Sequence, residues 1–176
     1  MIQLIRISIF TFATFLVFSC CNVPQQNNDR RAKVNIDSVY QQILKDSILV
    51  TGWYAVSDTP NGFRRQLDTT GQNYFIDPKP ILVKAHFEKL TLKGNDFAKP
   101  DNFYTIMIEV YEQYNERWAD ATENAIGKRL GLVINDELVS APMVNARIES
   151  GMSSMHGRDK IKMEHYVKQL EAVAIE

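Results

Sequence analysis

The two cysteines of this 176-residue chain stand side by side, Cys20 and Cys21, at the end of its one long apolar run. Whatever folds beyond them contains no thiol. Neither a disulfide nor a cysteine metal site can hold it together, so its stability must come from packing. The run itself opens on Arg6 and continues through 7–18, about a dozen mostly apolar residues. That is the core length of a secretory signal and falls short of the roughly 20 residues a spanning helix needs.

No small-x-small cleavage site follows the run. Val17-Phe18-Ser19-Cys20 instead resembles a bacterial lipobox, in which a small residue precedes the Cys that is lipidated and becomes the mature N-terminus. The resemblance implies export, loss of residues 1–19 as a signal peptide, and acylation at Cys20, with Cys21 as a competing acceptor. Several acyl chains, at about 0.8 kcal/mol per buried methylene, hold a protein on a bilayer far better than one chain does. Residues 20–33 form the expected tether: Asn22–Lys33 is polar and amide-rich and cannot bury enough apolar area to offset its ordering entropy. Fully extended, those twelve residues reach roughly 40 Å. The folded unit is expected over 34–176, in the cell envelope, on the periplasmic side or at the outer membrane. The membrane is then a partner through the lipid anchor.

Charge narrows the function classes. Twenty Lys plus Arg face 21 Asp plus Glu, a net charge of −1, and loss of 1–19 leaves 19 against 21. No basic stripe of the kind that binds nucleic acid is present, so nucleic acid is excluded as a partner. A hydrophobic fraction of 45% with 23% charged residues is that of an ordinary globular chain of one domain.

Periodicity outlines the elements. Ile36, Tyr40, Ile43 and Leu44 share one helical face, with Asn35 or Asp37 as the cap. Residues 48–56 read as a strand, 57–62 as a turn, and 63–67 and 74–76 as short strands around Thr70-Gly71-Gln72. Asp77-Pro78-Lys79-Pro80 is expected to break any regular element, and 81–92 is of mixed character. Alternation over 102–111 predicts a half-buried strand, and 115–126 a helix closed by Gly127. Residues 130–134 and 138–143 flank Asn135-Asp136 as a β-hairpin, 149–157 reads as a loop, and 159–173 as an amphipathic helix. The order predicts an α+β fold of two layers, helices packed on a mainly antiparallel sheet.

The catalytic inventory is thin. His86, His156 and His165 lack the i, i+4 spacing of a helical metal pair. Ser140 sits on a predicted strand rather than in a nucleophile elbow, and Gly127-Lys128-Arg129 has no upstream glycine to make a phosphate loop. Glu109 and Glu112 fit solvated positions better than an acid–base pair. The reading is a protein that is not an enzyme and needs no cofactor or metal. Its rivals are an envelope enzyme using His156 or His165, and a lipoprotein of purely structural role.

One stretch carries a family resemblance. Asn124-Ala-Ile-Gly-Lys-Arg-Leu-Gly-Leu-Val-Ile-Asn-Asp-Glu-Leu-Val-Ser-Ala-Pro142 is similar to a segment of SecD, an accessory subunit of the bacterial protein-export translocase. The residues that match are Gly127, Lys128 and Arg129, then Ser140, Ala141 and Pro142. Gly151 and Gly157 resemble the family's following glycine loop, 162–170 its closing helix, and the likeness runs over about 74–172. It implies the head subdomain of SecD's first periplasmic domain, an α+β module thought to contact the translocating polypeptide. A protein or polypeptide partner is therefore expected on the 147–157 loop and the sheet rim, with Arg147, Met152 and Met155 as contacts. The chain has no apolar run after residue 19 to supply SecD's proton-coupled spans, so that cycle is not implied.

Overall fold

The computed structural model describes residues 34–57, 59–95 and 103–171. The expected lipobox with Cys20 and Cys21, and the expected tether, lie outside the described residues.

The first helix, α1 (Ile36–Asp46), starts where Asn35 Oδ1 accepts the backbone N–H groups of Asp37 and Ser38, at 2.9 and 3.4 Å. It ends where Ser47 turns left-handed and its N–H reaches the Ile43 carbonyl at 2.8 Å. Eight strands follow: β1 (Gly52–Ser57), β2 (Phe63–Gln66), β3 (Asn73–Val83), β4 (Phe87–Asn95), β5 (Phe103–Val110), β6 (Leu130–Ile134), β7 (Glu137–Ser140) and β8 (Met152–Gly157). Helix α2 (Asn115–Asn124) stands between β5 and β6, and α3 (Lys160–Glu171) follows β8.

The strands form two antiparallel sheets, ordered β2-β3-β1-β6-β7 and β4-β5-β8. The fold is α+β, as expected, with the predicted single sheet resolved into two. The five-stranded sheet turns back on itself. Leu67, just past β2, makes a bridge to Leu138 on β7, and the Asp68 N–H donates to the Leu138 carbonyl at 3.1 Å. Its two margins thereby meet.

Strand β6 is buried along its whole length, and its side chains alternate between two cores. Leu130, Leu132 and Ile134 join Trp53, Leu82, Ile106, Ile108, Trp118, Met163 and Leu170 between the two sheets, α2 and α3. Val133 joins Ile43, Leu49, Tyr54, Val56, Ile76 and Leu138 beneath α1. The Trp53 and Trp118 rings lie 5.3 Å apart at 50°, an arrangement worth about 0.5–1.5 kcal/mol beyond area burial.

The Asn135-Asp136 turn is where sequence and structure agree most closely. Both residues have positive φ, 49° and 70°, as a type I′ hairpin turn requires. The Asp136 carboxylate accepts the Leu49 N–H at 2.7 Å and pairs with the Arg65 guanidinium, whose Nε also donates to the Asp136 carbonyl at 2.9 Å. Asn135 and Thr51 bond beside it, the Asn135 N–H donating to Thr51 Oγ1 at 3.1 Å. On the far side, Lys162 and Tyr166 of α3 hold Asp68, at 2.5 Å for Lys162 Nζ. These donors keep the Asp68 carboxyl below its usual range; burial, then Asp68 itself, pushes the Tyr166 phenol up.

Four expectations are corrected or sharpened. Residues 77–80 do not break the chain: β3 runs through Pro78 and Pro80, because Tyr54 pairs with Pro80 and Val56 with Ile76. Three residues then oppose Ala55 alone, a bulge in which Pro78 has no ladder bond to lose. Residues 81–92 are the end of β3, a short 3-10 turn over Lys84–His86 and the start of β4, with no α-helix. Within the predicted loop 149–157, 152–157 forms β8. The strand expected from residue 48 begins at Gly52.

Asp136→Ala removes the carboxylate that accepts the Leu49 N–H and pairs with Arg65, leaving Arg65 only backbone carbonyls, and puts at φ 70° a residue without the local hydrogen bonding that lets Asp tolerate it. The expected loss is about 2–3 kcal/mol by urea denaturation, with Asp136→Asn losing less. An unchanged midpoint for Asp136→Ala would remove this turn from the interactions that hold the fold.

Candidate functional site

Antiparallel pairing of β5 with β8 joins Glu109 to Met152, Met107 to Ser154 and Thr105 to His156. The same β5 residues face Lys89, Thr91 and Lys93 across the ladder to β4. Alternation therefore divides the three-stranded sheet into a core face with Ile106, Ile108 and Met155, and an outer face turned away from α3. On the outer face Met107 and Met152 are half-buried, and Phe103 is exposed and stacks on His156 with ring centroids 5.2 Å apart. Thr105 Oγ1 lies 2.9 Å from His156 Nδ1. Two soft thioethers, an aromatic ring and small hydroxyls, rimmed by Lys89, Lys93 and Glu109, make a surface that adapts to varied side chains.

The segment leading into β8 is tied down rather than loose. α2 is capped at Ala125 rather than closed by Gly127, which lies two residues further on at φ 76°; the Gly127 N–H donates to Val144 O at 2.9 Å, and Lys128 O accepts the Val144 N–H at 2.8 Å. Arg129 donates to the Ala141 carbonyl at 2.6 Å and lies over the Tyr74 ring, while the Leu130 N–H reaches the Pro142 carbonyl at 3.2 Å. Ser140 pairs with Leu132 in the hairpin. The Gly-Lys-Arg and Ser-Ala-Pro motifs are thus the two rails of one junction.

Beyond it, Arg147 reaches Glu116, Asp120 and Glu123 of α2 at 2.7, 2.9 and 2.7 Å, with Glu149 at 3.6 Å. The Ile148 N–H donates to the buried Thr122 hydroxyl at 2.9 Å. Gly151 then enters β8 at φ 64°, where any Cβ would stand 1.9 Å from Asn115 Oδ1. At the other end of the strand a Cβ on Gly157 would meet Met163 Sδ at 2.6 Å. Both glycines are set by close approach.

Of the three contacts expected from sequence, the structure leaves Met152 at the surface. Met155 is only 2% exposed and belongs to the core, because β8 is a strand and alternates. Arg147 is held by the α2 carboxylates. His156 and His165 are both exposed, but α3 packs on the core face and His156 points from the other, so the sheet separates them. Among the described residues no three His, Cys, Asp or Glu side chains gather as a metal site. Sequence reasoning missed the outer face. The alternation of Thr105, Met107 and Glu109 was its one signal.

His86 braces this arrangement from below. It is fully buried, its Nδ1 accepts the Val83 N–H at 3.4 Å, and its ring stacks on Tyr114, just before α2, at 3.9 Å. Burial, then the nearby Arg117 charge, lowers its pKa to about 4, opposed in part by the backbone of Val34. Folding therefore favours neutral His86, and below an unfolded-state pKa of about 6.5 the unfolded chain takes up the proton first. His86 should cost stability as pH falls from about 6.5 to 4, by about 3 kcal/mol in all, with no effect above. Urea denaturation at pH 7, 5.5 and 4.5 checks this. His86→Gln should fall less steeply than the wild type, and equal slopes would refute it.

A family model for the SecDF P1 head subdomain matches residues 60–170. A crystal structure of SecDF in a super-membrane-facing form is 14% identical, with a TM-score of 0.47 over 78% of this chain and 16% of that one. A second structure, of the membrane component SecDF that enhances protein export, is 13% identical, with a TM-score of 0.53 over 74% of this chain and 66% of that one. At such identities the second likeness is one of fold. No curated protein matches the sequence. Among the described residues no helix is long and apolar enough to cross a membrane.

Proposed function

The chain belongs to the SecDF P1 head subdomain family, and from that premise we propose that it is a non-enzymatic lipoprotein of the cell envelope whose head binds a polypeptide in connection with protein export. In this reading residues 1–19 are the signal peptide, Cys20 or Cys21 carries the lipid, and 20–33 holds the head away from the bilayer. The observation that supports binding is the outer face of the β4-β5-β8 sheet. It places Phe103, Met107 and Met152 on one face outside the core, with Phe103 stacked on His156. One SecDF structure similar in fold is of a membrane component that enhances protein export. That connection comes to this chain as a proposal.

The anchor and the binding face are tested separately. Labelled palmitate should enter the wild-type protein and not the Cys20→Ala/Cys21→Ala variant; label in the double variant would overturn lipidation at this site. A photo-crosslinking residue at 103 or 152 should capture polypeptide in membranes. The same group at 161, an 80% exposed position on α3, should capture little. Equal yields at all three positions would overturn the assignment of the face.

A further inference from the structure

The three-stranded sheet has two margins, and they are built differently. β4 carries Glu88, Lys89 and Lys93, the charges that commonly keep a sheet edge from recruiting a further strand. The margins of the larger sheet meet each other through Leu67 and Leu138. β8, Met-Ser-Ser-Met-His-Gly, has no Lys, Arg, Asp, Glu or Pro and no bulge in its pairing, and among the described residues nothing pairs with its outer side.

The ladder fixes which backbone groups face outward. The Val110 N–H donates to Gly151 O at 3.1 Å, so 151, 153, 155 and 157 are the residues that bond to β5. Met152, Ser154 and His156 then turn their N–H and C=O groups away from it. Trp118 agrees with this phase, because its indole N–H donates to the outward Met152 carbonyl at 3.1 Å. The Trp118 bond occupies the first outward position and leaves Ser154 and His156 as an open pair of backbone donors and acceptors.

We propose that an extended, unfolded polypeptide segment adds to β8 as a fourth strand, bonding to the main chain of Ser154 and His156 and laying alternate side chains on the outer face. This rests on the polypeptide-binding reading above and specifies its mode. Main-chain bonding gives affinity with little demand on sequence, which suits a client recognised for being unfolded. The uncharged small side chains of β8 impose no charge selection. A second copy of this chain is a poorer occupant. The open stretch is about three residues long, far below the roughly 800 Å² per partner that a stable interface buries, whereas a flexible segment extends its contacts across the adjacent face.

The test uses the full chain in detergent with a reduced, carboxymethylated lactalbumin as the unfolded probe. Ser154→Pro removes one outward N–H and no bond to β5, so the variant should melt with the wild type while binding the probe about tenfold more weakly. Ile161→Ala, at an exposed position on α3, should leave binding unchanged. In parallel, hydrogen exchange of the wild type should show the Ser154 and His156 amides slowed at least tenfold by the probe, with Met155 unchanged. This readout holds even if the proline variant fails to fold. Wild-type binding with no slowing at 154 and 156 overturns strand addition and leaves polypeptide binding in place. No binding by the wild type overturns both. Slowing that follows protein concentration without probe assigns the edge to a second copy and also overturns the proposal.

Discussion

The carboxylate of Asp136 joins three segments that are far apart in sequence: the connection from α1 into β1 through Leu49, strand β2 through Arg65, and the β6–β7 hairpin that carries it. Each belongs to a different part of the five-stranded sheet. Joining them at one side chain closes the sheet so that Leu67 meets Leu138, and that closure sets the loop holding Asp68 under α3. Without it, β6 would lack one of the two walls that bury it, and both cores share that strand. A chain without thiols beyond residue 21 has no covalent substitute for such a junction.

The hairpin was legible because its signal is local: two turn residues that tolerate positive φ between two apolar runs. Helix α1 and strand β5 were legible for the same reason, each repeating its own period over enough residues. β8 was not, because glycines, serines and methionines carry no alternation. Its extended form comes from β5 beside it and from Gly151 fitting against Asn115. The β3 prolines misled because a bulge that absorbs Pro78 is a property of the pair of strands, invisible in either alone.

The family motif proved the most specific sequence signal, and its hydrogen bonds go largely into the junction between α2 and the β6–β7 hairpin. Gly127 and Lys128 bond to Val144, Arg129 to Ala141, and Leu130 to Pro142. The motif marks a fold, and function has to be sought on the face it positions. Arg147 follows the same logic: by gathering three carboxylates of α2 it fixes the strap that delivers the chain to β8. A residue with the look of a docking cation serves here as a rivet.

The pairing of β1 has a mechanical consequence. This strand is hydrogen-bonded along both margins, to β3 and to β6, whereas α1, just before it, is held by side-chain packing and the Leu49 contact. Tension applied through the chain ahead of Val34 reaches α1 first and then stops at a strand gripped from both sides. Loss of the helix would take Ile43 out of the smaller core, while β1 kept its bonds to β3 and β6.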